Sequence, residues 1–221
     1  MRVKRGGWIF VLLLSFVASG FAQNFGNPFD MPMVRKYWNP IVGAGAVYQV
    51  TDADGAKRIE EYEILSEETV EGNKAYWLEV AGQMPQMKGE VYVKMRVIPE
   101  FFEAGNLIVQ LPGKAAMEMP VDPVPKAMSQ DLKDGSKLVG TETITVPGGT
   151  FECERWRNLD NSDVWLSSKV GPIKIVKTMG GPGEKRVLIK TISHAQDGIT
   201  GPVRPFDPEA IKKFSESLSQ K

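Results

Sequence analysis

Between residues 44 and 193 the chain is a succession of short runs rich in Val, Ile, Tyr and Trp, separated by turn residues and almost without helical periodicity. Side chains alternate between two faces along a strand, so such runs confine the fold to β architecture. The cleanest run is 90–98. Val91, Val93, Met95 and Val97 fall on one face, and Glu90, Tyr92, Lys94 and Arg96 on the other. One apolar and one polar face describe a half-buried antiparallel strand. Further strands are expected at 44–50, 58–65, 74–81, 106–111, 137–146, 150–159, 164–168, 173–179 and 185–193. Asp52-Ala53-Asp54-Gly55, Glu71-Gly72-Asn73, Pro147-Gly148-Gly149 and Gly180-Gly181-Pro182-Gly183 supply turns between them. Nine or ten strands in sequential hairpins must hide their edges by curling or closing. The expected fold is mainly β: an antiparallel meander forming a strongly curved sheet or half-barrel with a C-terminal α-helix, with a β-sandwich as the alternative.

Flanking segments differ in kind. Arg2, Lys4 and Arg5 precede an apolar run at 8–18, and Ser19-Gly20-Phe21-Ala22 follows with small residues at the positions a signal peptidase reads. That order is a secretory signal peptide, with an apolar core too short to span a bilayer. Cleavage after Ala22 leaves Gln23 at the mature N-terminus, where a lipoprotein would need cysteine. The expected product is a soluble periplasmic or extracellular protein without a transmembrane segment. The expected organisation is a signal peptide at 1–22, an extended lead-in at 23–40 and a single β domain at 41–206. Within that domain 112–134 is read as a Met- and Pro-rich loop. A helix at 207–221 is expected from Asp207 as N-cap, Pro208 at the first helical position and an apolar face of Ile211, Phe214 and Leu218.

Charge and chemistry then exclude function classes. The signal holds three of 27 basic residues and none of 27 acidic ones, leaving about −3 and no basic run for nucleic acid. His194 is the only histidine and Cys153 the only cysteine, so no disulfide forms within the chain and no His-rich metal site exists. Cys153 alternates with Phe151 and Arg155, as a packing residue would. Glu60, Glu61 and Glu63 read as a solvated strand face. No catalytic constellation emerges, and no enzyme activity or cofactor is expected.

One block carries a resemblance. Thr141-Glu142-Thr143-Ile144-Thr145-Val146-Pro147-Gly148-Gly149-Thr150-Phe151-Glu152-Cys153, then Asp163-Val164-Trp165-Leu166-Ser167, then Ile175-Val176-Lys177, resembles uncharacterised secreted bacterial β proteins with a Val-Pro-x-Gly-Thr-Phe hairpin and an Asp-Val-Trp strand. Met117-Glu118-Met119-Pro120 fits the same pattern. The resemblance implies an architecture similar to periplasmic half-barrels that carry lipids or lipoproteins; it brings no catalytic residues. The expectation is therefore a non-enzymatic exported protein holding a lipid or hydrophobic polypeptide on a concave sheet face. Its expected lining is Trp77, Val91, Val93, Met95, Val97 and Trp165, with Met117 and Met119 as a flap. The alternatives are Cu(I) bound by the soft thioethers of Met31, Met33, Met84, Met87, Met117 and Met119, and a structural component of the cell envelope.

Overall fold

The computed structural model describes residues 37–83, 88–99, 103–119, 135–180 and 185–209. The signal peptide, most of the lead-in, Met31, Met33, Met84, Met87 and the helix beyond Glu209 lie outside the described residues. Among the described residues eleven strands form one antiparallel sheet: β1 (Gly45–Thr51), β2 (Lys57–Val70), β3 (Asn73–Gln83), β4 (Glu90–Ile98), β5 (Glu103–Gln110), β6 (Met117–Met119), β7 (Lys137–Val146), β8 (Gly149–Arg157), β9 (Asp163–Leu166), β10 (Ile175–Met179) and β11 (Lys185–Ile192). The expected β class holds, as a single sheet and not a sandwich.

The strand order is β6-β5-β4-β3-β2-β1-β11-β10-β9-β8-β7. The chain does not run as one meander from edge to edge. It makes two meanders, β1–β6 and β7–β11, joined where the first strand pairs with the last, Gly45 opposite Ile192 through Thr51 opposite Lys185. The opening of the sheet therefore falls between β6 and β7, at the Met- and Pro-rich segment that interrupts the strand rhythm. Within that segment Met117–Met119 is a strand, β6, paired with β5; the loop reading of 112–134 is corrected there.

Local chemistry accounts for the turns. Glu71 and Gly72 have φ of 50° and 82°, the doubly positive geometry whose twist matches paired strands. It closes the long β2–β3 hairpin between Val70 and Asn73. At the β7–β8 turn the Gly148 amide donates to the Leu188 carbonyl at 3.2 Å. A methyl at Gly148 would sit 2.8 Å from the Leu188 side chain, so the turn needs glycine to lie against β11. The β7–β11 half thereby curls until its outermost hairpin touches its innermost strand. Pro208 and Glu209 open a helix, and the Glu209 amide donates to Asp207 Oδ1 at 3.0 Å, the N-cap bond the sequence predicts.

Two apolar clusters share the interior. One gathers Tyr37, Tyr48, Val50, Phe151, Cys153, Trp165 and Leu188 among others. The second gathers Trp38, Ile64, Leu78, Val80, Val91, Val93, Met95, Val97 and Leu111. Burying one such aliphatic side chain stabilises the fold by about 1.5–3 kcal/mol.

Candidate functional site

Register arranges the second cluster as two rows. Tyr62, Val80, Val93, Val109 and Met117 are successive partners across β2–β6, and so are Ile64, Leu78, Met95, Leu107 and Met119. Cross-strand partners share a face, so Val91, Val93, Met95, Val97, Met117 and Met119 lie together on one apolar face. The last two extend its rows as strand residues of β6 and are not a flap. This face is covered: Val91 and Val97 have no exposed surface, and Met117, the most exposed of the six, has 8%. Trp38 contributes to the cover and meets Tyr76 edge-on with ring centroids 6.4 Å apart.

The two tryptophans lie elsewhere. Trp77 pairs with Arg96 and shares its side of β3 with Glu79, on the face opposite Leu78 and Val80. Lys94 Nζ stands 5.4 Å from its ring centroid. Trp165 belongs to the first cluster. Arg155 and Lys177 are its cross-strand partners, and their charged ends lie 5.1 and 5.4 Å from its ring centroid. Its indole N–H donates to Glu142 at 2.7 Å. Asp163 receives both Arg155 and Arg157; the hydrogen bond from Arg157 leads the effects that hold its carboxyl down at about 2.

A charged group inside the apolar face went unseen in the sequence. Glu60, 3% exposed, accepts from Arg58 Nε, Tyr62 Oη and Arg186 Nη2, each at 2.8 Å. Arg58 also bonds Asp52, and the Arg186 guanidinium lies 5.6 and 5.5 Å from the Tyr48 and Tyr62 ring centroids. Burial pushes both phenols well above their ordinary range. Glu63 is likewise buried, at 6%, so the solvated-face reading of these glutamates is corrected for Glu60 and Glu63. The available signal was parity: Arg58, Glu60 and Tyr62 alternate into the same face as Ile64.

The other face is polar and crossed by a strap, residues 193–204. The Ala195 amide donates to the Gly43 carbonyl at 2.8 Å, and Gly198 donates to Glu79 Oε1 at 2.9 Å. Asp197 pairs with Lys94 on β4. Thr200 and Gln110 exchange hydrogen bonds at 2.9 and 3.0 Å. The strap ends by pairing with the outer side of β6: Arg204 donates to the Ala116 carbonyl at 2.9 Å and accepts from the Glu118 amide at 2.8 Å. Gly198 lies flat on the Tyr92 ring, where a methyl would overlap ring carbons.

Cys153 and His194 lie in different settings. Cys153 is 1% exposed, and burial, followed by the Glu142 charge, pushes its thiol up to about 11. His194 is exposed on the strap, with Ser193 Oγ 3.0 Å from its Nδ1. Among the described residues no group of three His, Cys, Asp or Glu side chains is placed to hold a metal, and no helix is long and apolar enough to cross a membrane.

Comparison with known proteins returns no matching family model and no matching curated protein. Among solved structures, a candidate lipoprotein from Parabacteroides distasonis aligns with 15% identity over 70% of this chain and 97% of its own, at a TM-score of 0.38. A candidate exported protein of YmcC-like fold from Bacteroides fragilis aligns with 13% identity over 70% and 98%, at 0.37. MucB aligns with 12% identity over 77% of this chain and 61% of its own, at 0.40. Scores this low transfer neither fold nor function.

Proposed function

We propose that this is an exported, non-catalytic protein that binds an extended, hydrophobic polypeptide by adding it as a strand to the β7 edge. The observation that carries the reading is the contrast between the sheet's two ends. Among the described residues β7 pairs only with β8, and most of its ten residues are exposed. Unpaired N–H and C=O groups on such an edge are a template for a further strand.

Their direction follows from the hairpin. The Thr145 and Thr150 hydroxyls lie 2.9 Å apart, the close approach of a non-hydrogen-bonded pair, whose backbone groups point away from each other. Thr143 has the same parity, so Thr143 and Thr145 offer their amides and carbonyls outward. Leu138 and Val139, 53% and 51% exposed, add apolar contacts beside them. The buried, high-pKa Cys153 thiol supports the non-catalytic part of the reading.

The lipid version of the same idea needs the apolar face to open first, because its own chain already fills it. The test is titration of the 15N-labelled protein with a ten-residue peptide alternating valine with threonine or lysine. The expected result is amide shifts centred on Thr143 and Thr145. Shifts centred on Val93 and Met95 on adding phospholipid micelles, with none at β7 on adding peptide, would replace this reading with the lipid one.

A further inference from the structure

The strap crosses the polar face where carboxyl groups crowd. Glu79, on β3, is 3% exposed. Its Oε1 accepts the Gly198 amide, while its buried Oε2 meets no N–H or hydroxyl donor. The Asp197 carboxyl of the strap is its close neighbour. Two ionised carboxylates are both acceptors and repel, so a proton on one of them turns that contact from repulsive to bonding. Asp197 already receives the Lys94 ammonium and the Ile199 amide, which favour its ionised form. The proton belongs on Glu79.

We infer that residues 193–204 form a proton-dependent latch. The strap is held while Glu79 is protonated, and ionisation of Glu79 releases it and uncovers the outer side of β6.

Every element packed around Glu79 contributes to the balance. On β2, Glu63 is its direct cross-strand partner and Glu61 lies one row away. On β4, Lys94 is the opposite partner, and Tyr92, hydrogen-bonded to Glu90, stands beside it. On β11, Lys190 faces Glu61 and Glu63. The strap adds Asp197. Lys94, the cation closest in register, is already engaged by Asp197, so ionised Glu79 would join Glu63 and Asp197 with only the Gly198 amide and a shared Lys94 to offset it.

Desolvation is the largest influence on Glu79; the Gly198 amide and Lys94 oppose it and Asp197 adds to it, and together they lift its carboxyl to about 7 from 4.5. Desolvation also raises Glu63 and Glu61. Asp197 ends below its ordinary value although desolvation alone would raise it, because Lys94 and the Ile199 amide outweigh burial. Glu79 keeps its proton in the folded chain at pH values where the unfolded chain has lost it. The stabilisation it lends is full below about 4.5 and declines as pH rises, until it is spent above about 7.

The test is amide exchange at Gly198 and Thr200 in the chain from Gln23 to Lys221, corrected for intrinsic rates, at pH 5.5 and 8.5. Protection is expected to fall at least tenfold in the wild type and less than twofold in Glu79→Gln, whose amide keeps the acceptor for Gly198 and supplies a permanent donor to Asp197. A flat wild-type profile, or an equal fall in the variant, would overturn the latch. Should Glu79→Gln fail to fold, the 13C carboxyl titration of wild-type Glu79 decides. A midpoint near 7 supports the latch, and one in the ordinary carboxylate range overturns it.

Discussion

The two ends of the sheet are adjacent in sequence and opposite in design. β6 is three residues long, and its outer side pairs with Arg204 of the strap. β7 is ten residues long and, among the described residues, pairs only with β8. Natural sheets blunt their edges because an open one recruits other strands. Here one edge is covered by the chain itself. The other carries a single irregularity, a bulge between Leu138 and Gly140, and among the described residues the regular stretch from Thr141 to Val146 pairs on one side only. On the reading proposed above, the difference separates an edge kept for internal use from one that can take a partner.

Removing the cover should have the largest effect. Ending the chain at Ile192 deletes the strap bonds to Glu79, Gln110 and β6, each worth about 1 kcal/mol. A fall in Tm of roughly 6–12 °C is expected, with new concentration-dependent association in sedimentation velocity as β6 becomes a second open edge. An unchanged Tm and a monomer would mean that the strap is not an edge cover.

Gly198→Ala is a milder version of the same break. The added methyl meets the Tyr92 ring, and such overpacking costs about 1–3 kcal/mol. Loss of amide protection should be confined to the strap and β6, leaving β7 and β8 unchanged.

A matched pair of prolines compares the edges directly. Glu118→Pro removes the amide that bonds Arg204 and should cost about 1–2 kcal/mol. Thr143→Pro removes an amide directed to solvent and should cost less than about 1 kcal/mol, while weakening peptide binding at least tenfold. Equal costs in chemical denaturation would show that β7 is covered too.

The smallest effect lies one strand in from the open edge. Cys153, with its thiol raised to about 11, should present about one thiolate in a thousand at pH 8. A disulfide reagent should therefore label it only as fast as the chain unfolds. Rapid labelling of folded protein would show that β7 and β8 separate from the core.

Much of this was readable in advance because strands announce themselves locally. Glu90–Ile98 and Lys137–Val146 match their expected bounds, and the other expected runs fall on strands that shift, lengthen or shorten at their ends. Four of the six expected lining residues, Val91, Val93, Met95 and Val97, share one face, and Met117 and Met119, expected as a flap, join them there as strand residues, because alternation and register place side chains without reference to the rest of the fold. Trp77 does not, although a signal was present: it alternates with Glu79, while Leu78 and Val80 mark the apolar side. Glu60 was missed for a different reason. Parity placed it with Ile64 and Arg58, but its partner Arg186 is 126 residues away, and alternation alone does not announce that a distant guanidinium will accompany a buried carboxylate.

The sequence by itself determined the class of the fold, the strand rhythm, the turns and the break at the Met- and Pro-rich segment, since each depends on neighbours a few residues apart. Tertiary structure alone decided that β1 meets β11, that the apolar face is buried, and that the tail returns as a strap to cover β6 while β7, among the described residues, pairs only with β8. Those outcomes depend on contacts between residues from tens to well over a hundred positions apart, where pairing is chosen by what the whole sheet can bury and by which backbone groups remain to be satisfied.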